Sequence, residues 1–221
     1  MQTNPKIITV ILADDHPVVR EGVRHILANV DQISIVGEAQ DGKEVKELVA
    51  KLHPHILLLD LKMPATSPFE IEKWVRENYP ETITLVLTAH DRDFYLSGMI
   101  DAGVAGYLDK NERADNLITA ILRAAHGEVF FTANQMHRAR KWRHDVGERW
   151  EKLTGREREI LLLIAQGYTN KTIAKNLGIT LKTVAYHVSS ILNRLDLESR
   201  NEAVVWLHKY FPDDLELILG S

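Results

Sequence analysis

Cysteine is absent from the 221 residues, which removes disulfides, thiolate nucleophiles and cysteine metal ligands from any account of the chain. No run of 18 apolar residues occurs, so no membrane-spanning helix and no membrane partner are expected. Residues 1–10 lack a basic segment followed by a long apolar one, so no cleaved export signal is expected, and the setting consistent with both absences is the cytoplasm. Internal repeats and low-complexity tracts are missing too. What remains is ordinary for a globular protein, with 45% hydrophobic and 26% charged residues, and the length suits two domains that each bury a core.

The net charge of −4 says little by itself, but its distribution is uneven. Residues 1–126 hold 13 Lys and Arg against 19 Asp and Glu, residues 127–149 hold 5 against 3, residues 150–212 hold 9 against 6, and residues 213–221 add three acids. An acidic half followed by a basic one fits either different partners for each or ordinary solvated surfaces.

Two periodicities alternate over residues 1–126. Short β-branched apolar runs at Ile7–Ala13, Ser34–Ala39, His55–Leu59, Thr84–Ala89 and Gly106–Leu108 have the length of buried strands. Amphipathic stretches separate them at Val18–Val30, Lys43–Leu52, Phe69–Asn78, Phe94–Ala102 and Ala114–His126. Strand then helix, five times over, predicts an α/β domain with a doubly wound parallel sheet covered on both faces, of the flavodoxin-like kind. Residues 127–149 read as a helical linker, with Thr132 and Gln135 forming a capping box. Residues 150–221 read as all-α. Thr154 and Glu157 form a second capping box, Gly167 ends that helix, Thr169 opens the next, and Gly178 makes a turn. Thr180 opens a third helix through Asn193, and Asn201–Tyr210 is a fourth.

Asp14 and Asp15 follow the first strand, Asp60 follows the third, Thr88 ends the fourth and Lys110 follows the fifth. Parallel strands end on one edge, so three carboxylates, a hydroxyl and an ammonium should converge there. Converging carboxylates repel unless a cation neutralises them, and Mg2+ suits such oxygen ligands. The set is equipped for phosphoryl transfer to a carboxylate, with metal, hydroxyl and ammonium offsetting charge on the transferring oxygens. Separate helix caps and a surface salt bridge are the alternative for any one of these residues.

With Asp14-Asp15, Asp60-x-x-Met63-Pro64, Thr88-Ala89 and Lys110 in place, residues 7–126 resemble a receiver domain of a bacterial two-component response regulator. The resemblance implies that Asp60 is the phosphoacceptor for a sensor histidine kinase. It implies that Asp15, Asp60 and the backbone carbonyl of Lys62 hold Mg2+, with Asp14 acting through bound water. Thr88 and Lys110 would hold the phosphoryl oxygens, and Tyr107 would be the switch aromatic. The chain departs from the pattern at Pro68, where the family has Gly, which puts the path of the loop from Ala65 in question. Lys62 and His90 stand two residues after Asp60 and Thr88, where the family tunes the lifetime of the phosphoryl group.

Along the third C-terminal helix, Val184, Val188, Ile191 and Leu195 should point inward, and Thr180, Lys182, Thr183, Ala185, Tyr186, Ser189 and Asn193 mostly outward. Such a helix fits a DNA major groove, although a plain helical bundle that binds protein has the same periodicity. Leu153-Thr154-x-Arg156-Glu157, Gly167-x-Thr169-Asn170-Lys171-x-Ile173-Ala174 and Thr183-Val184-x-x-His187 resemble the LuxR-type helix-turn-helix of the NarL/FixJ class. That resemblance implies double-stranded DNA as a partner, read by Lys171, Lys182, Thr183, Ala185, Tyr186, His187, Ser189 and Arg194, with Lys175 and Arg200 as further phosphate contacts. It also implies a homodimer through the last helix, at Ala203, Val204 and Leu207. The class commonly has Lys where this chain has Ala185 and Ser189, Glu where it has Thr172, and Gly where it has Asp196. Each lost Lys removes a phosphate or guanine donor.

The expected function is therefore a transcription regulator switched by phosphorylation of Asp60, not an enzyme with a turnover of its own. In such a regulator the acidic half could mask the basic one through Arg138, Arg140, Lys141 and Arg143. A phosphatase working through an aspartyl phosphate is the enzyme alternative. Such phosphatases place an acid two residues after the nucleophile, where this chain has Lys62. A regulator that ignores phosphate and works through protein contacts is the other alternative.

Overall fold

The computed structural model describes residues 7–211; the acidic tail lies outside them. The chain divides into two compact units between Ala139 and Arg140. No helix among the described residues is long and apolar enough to cross a membrane.

The first unit is a parallel sheet of β1 (Ile8–Ala13), β2 (Ile33–Ala39), β3 (Ile56–Leu59), β4 (Ile83–Thr88) and β5 (Gly106–Asp109), in the order β2-β1-β3-β4-β5. That order is the flavodoxin-like one expected. Its helices are α1 (Pro17–Leu27), α2 (Gly42–Leu52), α3 (Pro68–Asn78), α4 (Asp93–Ala102) and α5 (Ala114–Ala125). Successive strand residues face opposite sides of the sheet. Ile11, Ala13, Leu57, Leu59 and Val86 therefore join one core with Val45, Ile71, Leu96 and Met99 from α2, α3 and α4. Val10, Leu12, Leu58, Leu85 and Leu87 join a second core with Val23 and Leu27 from α1 and Leu117 and Ile121 from α5.

The loop before α3 answers the question raised by Pro68. Pro68 is the first residue of α3, where a missing N–H costs nothing because that donor has no intrahelical partner. The left-handed turn falls instead on Ala65, at φ 76°, a conformation that costs an L-residue roughly 1–2 kcal/mol.

Residues expected to begin the linker belong to the first unit. Phe130 donates its amide to the Ala105 carbonyl at 2.6 Å and pairs with Gly106 beside β5. The helix α6 (Ala133–Trp142) follows, opened by the expected capping box. The Thr132 amide donates to Gln135 Oε1 at 2.9 Å and the Gln135 amide to Thr132 Oγ1 at 3.1 Å.

The second unit contains a π-helical turn at Arg143–Gly147, the short α7 (Glu148–Glu151), then α8 (Gly155–Ala165), α9 (Asn170–Leu177), α10 (Leu181–Leu195) and α11 (Arg200–Tyr210). Thr154, Thr169, Thr180 and Ser199 each accept an amide at the start of their helix, which satisfies donors that a helix N-terminus otherwise leaves orphaned. Gly178 ends α9 at φ 64°, and Asp196 ends α10 at φ 57° in the place where the class has Gly. Asp is among the few residues that visit this region. Phe211 gathers Trp142, Trp150 and Trp206 around itself, with ring centroids at 6.0, 4.8 and 5.8 Å. This aromatic cluster helps hold residues 140–149, expected to lie in the linker, in the second unit.

Candidate functional site

Asp14, Asp15, Asp60 and Lys110 come together at the sheet edge, and Thr88 ends its strand beside Lys110. The amide of Asp14 donates to Ala39, that of Asp60 to Ala13 and that of Lys110 to Thr88, so each loop leaves its strand still tied to the neighbouring strand end. Asp14 is 1% exposed, Asp60 2% and Thr88 0%. Lys110 Nζ lies 2.7 Å from Asp60 Oδ2 and 2.8 Å from Asp14 Oδ2. Burial alone would lower its pKa, but the hydrogen bonds to Asp14 and Asp60 outweigh that and raise it. The other Asp60 oxygen accepts the Leu61 amide at 2.8 Å. Oxygens of Asp14, Asp15 and Asp60, with a ring nitrogen of His16, all lie within 4.8 Å of one another. Asp15 Oδ1 is buried without a well-directed hydrogen bond, and Nδ1 of the exposed His16 ring lies 2.6 Å from it. An under-satisfied, partly exposed carboxylate beside two buried ones is a donor set that fits a hard divalent cation.

Thr88 Oγ1 accepts the amide of His90 at 3.1 Å, and the carbonyl of His90 accepts the Tyr107 hydroxyl at 2.9 Å. Tyr107 is buried, and burial pushes its phenol well above the ordinary range. The chain of contacts then reaches α6, which the sequence did not connect to this site. The Tyr107 carbonyl accepts Gln135 Nε2 at 2.8 Å. Arg138 grips Asp91 at 2.7 Å and Asp93 at 2.6 Å, and these bonds hold its guanidinium above its usual pKa. Ser97 of α4 donates to the Ala139 carbonyl at 3.4 Å. Arg138, expected to serve as a mask for the other half, is thus engaged inside the first unit, because Asp91 and Asp93 offer it two carboxylates at close range.

On α10, Val184, Ile191 and Leu195 are buried, and Lys182, Ala185, Tyr186, Ser189 and Asn193 are exposed along one face. Thr183 and His187 are half-buried, and His187 Nδ1 is buried without a hydrogen bond. Lys171 and Lys175 on α9 are exposed. Two expected DNA contacts are engaged with their own domain, Arg194 while still exposed. Arg194 reaches Glu157 at 3.4 Å and the Lys152 carbonyl. Arg200 donates to Asn170 Oδ1 at 2.9 Å and to the Tyr168 carbonyl. Glu157 is the reason for the first. It is buried, it closes the α8 capping box, and Ser190 donates to it at 2.6 Å. Burial pushes its pKa up, but the bonds from Ser190 and Thr154 and the Arg194 charge prevail and keep it low and ionised.

The expected dimer residues need correction. Ala203 and Leu207 are 1% and 0% exposed, because they form the face of α11 that closes their own domain. Val204 is half-buried, and the exposed apolar residue of that helix is Val205, at 66%.

Comparison with known proteins matches residues 10–122 to the response regulator receiver domain and residues 151–207 to the bacterial regulatory proteins of the luxR family. The chain is 34% identical to the transcriptional regulatory protein DegU of Brevibacillus brevis, across 92% of this chain and 94% of that one. It is 36% identical to the response regulator protein VraR of Staphylococcus saprophyticus, across 92% and 97%. Among solved structures, RcsB of Salmonella enterica serovar Typhimurium, bound to a promoter in the presence of the phosphomimetic BeF3-, aligns with a TM-score of 0.65 at 28% identity, across 92% and 98% of the two chains.

Proposed function

The chain belongs to the response regulators that carry a receiver domain ahead of a LuxR-type helix-turn-helix domain, and on that premise we propose that phosphorylation of Asp60 by a sensor histidine kinase governs its binding to double-stranded DNA. The observation that carries the proposal is the buried Asp14–Lys110–Asp60 bridge at the carboxyl edge of the sheet. A structural salt bridge has no need of Asp15 beside it, nor of Thr88 at the same sheet edge.

An Asp60 carboxylate oxygen attacks the phosphorus of the donor in line. The phosphorus bond to the donor histidine breaks, and the leaving nitrogen keeps the electron pair. Lys110, already 2.7 Å from Asp60, offers its ammonium to the incoming phosphoryl oxygens. The Thr88 hydroxyl, fixed beside the His90 amide, offers a hydrogen bond to another. Asp15, Asp60 and the Lys62 carbonyl would hold Mg2+, with Asp14 orienting bound water; the ion supplies positive charge that offsets the oxygens of the transferring group. Preorganised donors of this kind supply most of the acceleration in such transfers.

A shift of Thr88 toward the phosphoryl group pulls on residues 89–93. Those residues hold Tyr107 through the His90 carbonyl and α6 through Asp91 and Asp93. Phosphorylation therefore loosens or re-seats Arg138 and Gln135, and α6 carries the change toward the second domain. The DNA partner rests on the exposed face of α10 and on the promoter complex of the structural relative. A dimer through α11 would use Val205 and the accessible part of Val204, bringing two recognition helices to paired half-sites. Both partners place this work in the cytoplasm.

The test is incubation with Mg2+ and acetyl phosphate or a cognate kinase, comparing the wild type with Asp60→Asn. Acid-stable, base-labile labelling confined to the wild type is expected; labelling that survives the substitution would falsify Asp60 as the acceptor.

A further inference from the structure

We propose that the exposed face of α10 reads thymine methyl groups, so that the core of each DNA half-site is A·T where a lysine-bearing helix would select G·C. The inference rests on the DNA-binding reading above and deepens it by naming the base.

The face that can enter a groove is set by burial. Val184, Ile191 and Leu195 are sealed in the domain. Positions 182, 185, 186, 189 and 193 are exposed and follow the three-and-four spacing of one helical stripe. The bidentate donor that specifies guanine in the major groove is Arg or Lys. Among the described residues of α10 the cations are Lys182 and Arg194. Arg194 is committed to Glu157 and to the Lys152 carbonyl, and Lys182 lies in the first turn, at the end of the stripe. The centre holds Ala185, Tyr186 and Ser189. Tyr186 is 70% exposed, and its ring stands 5.8 Å from that of His187 in an edge-on arrangement, so most of its apolar ring surface is accessible.

The Ala185 methyl can donate no hydrogen bond to the guanine N7 and O6 atoms, and the single hydroxyl of Tyr186 falls short of the two-donor fork that specifies guanine. The methyl and the ring surface do complement the C5-methyl group of thymine, which is the one apolar feature of the major-groove edge. Ser189, one turn beyond Ala185, is small enough to let the helix approach closely and adaptable enough to bond whichever base edge follows. Leaving a buried guanine acceptor unpaired against Ala185 carries a penalty, so the same face also discriminates against G·C. Lys182 keeps a phosphate or flanking-base role.

The experiment uses the full chain with a random-sequence duplex library, with and without Mg2+ and acetyl phosphate. The enriched duplex is then resynthesised with deoxyuridine in place of each thymine in turn. Enrichment of A·T pairs at two or more adjacent core positions of each half-site is expected. So is a loss of about fivefold in affinity when the methyl of a contacted thymine is removed, the scale of one base contact. Ala185→Lys should convert the preferred core pair to G·C. A G·C core in the wild type, or uracil substitution without effect at every core thymine, overturns thymine reading while leaving DNA binding intact. Failure to enrich any duplex under either condition overturns both.

Discussion

At the carboxyl edge of the sheet, the buried Asp14 and Asp60 share the half-buried Lys110; on the outward face of α10, Lys182, Ala185, Tyr186 and Ser189 stand in solvent. Buried charges must be mutually satisfied, so removing one leaves another uncompensated and the fold itself responds. Exposed side chains leave the fold indifferent to them, which frees their chemistry to determine what is recognised. The receiver site should therefore be intolerant of single changes and the recognition face tolerant, with function lost in both.

The largest break in that contrast comes from Lys110→Ala. It leaves Asp14 and Asp60 facing each other without their shared ammonium, and the loss should be about 3 kcal/mol in thermal unfolding without divalent cation. Mg2+ should restore part of it. An unchanged melting temperature would show that the bridge carries no structural weight.

Next in size is Arg138→Ala, which cuts the double ion pair to Asp91 and Asp93. The pair is partly exposed, so the stability loss should be about 1 kcal/mol. Phosphoryl labelling should persist while the phosphorylation-dependent gain in DNA affinity shrinks. If labelling and gain fall together, α6 is not the relay.

A buried carboxyl away from the site sharpens the comparison. Burial raises the Glu72 pKa above 4.5, with Thr84 and Arg76 acting in the opposite direction. The native state then holds that proton more tightly than the unfolded chain. Its stabilising effect is complete below the unfolded value and is lost as pH rises through the folded one. Glu72→Gln should therefore raise the melting temperature at pH 7 by a few degrees and leave it nearly unchanged at pH 4. The reverse order would mean that Arg76 dominates and holds the carboxylate ionised.

The smallest structural effect belongs to Tyr186→Ala. Stability should move by less than about 0.5 kcal/mol, as for an exposed residue without a structural task, while affinity for an enriched duplex falls severalfold. A large loss of stability would mean that the ring packs on the domain.

The sheet and its edge were legible from the sequence because both rest on local signals. β-branched runs mark strands, and the residue after each run must lie at a strand end, so Asp14, Asp60, Thr88 and Lys110 could be placed together before any coordinates. The threonine caps of α8, α9 and α10 and the Thr132–Gln135 box were legible for the same reason. What escaped was pairing between residues far apart in sequence. Arg138 finds Asp91 and Asp93, Arg194 finds Glu157, and Arg200 finds Asn170. Helical periodicity records which face a residue occupies but not which distant carboxylate or carbonyl will claim its side chain. The inward turn of Ala203 and Leu207 could have been read from periodicity, since with Val204 they make a stripe that is as good for closing a domain as for joining two copies.

The most direct test of the account measures DNA affinity of the full chain by fluorescence anisotropy, with Mg2+, before and after acetyl phosphate, for the wild type and Asp60→Asn. A phosphorylation-dependent change in affinity in the wild type, absent from Asp60→Asn, is expected. Equal affinities in all four samples, with the wild type demonstrably phosphorylated, would contradict it.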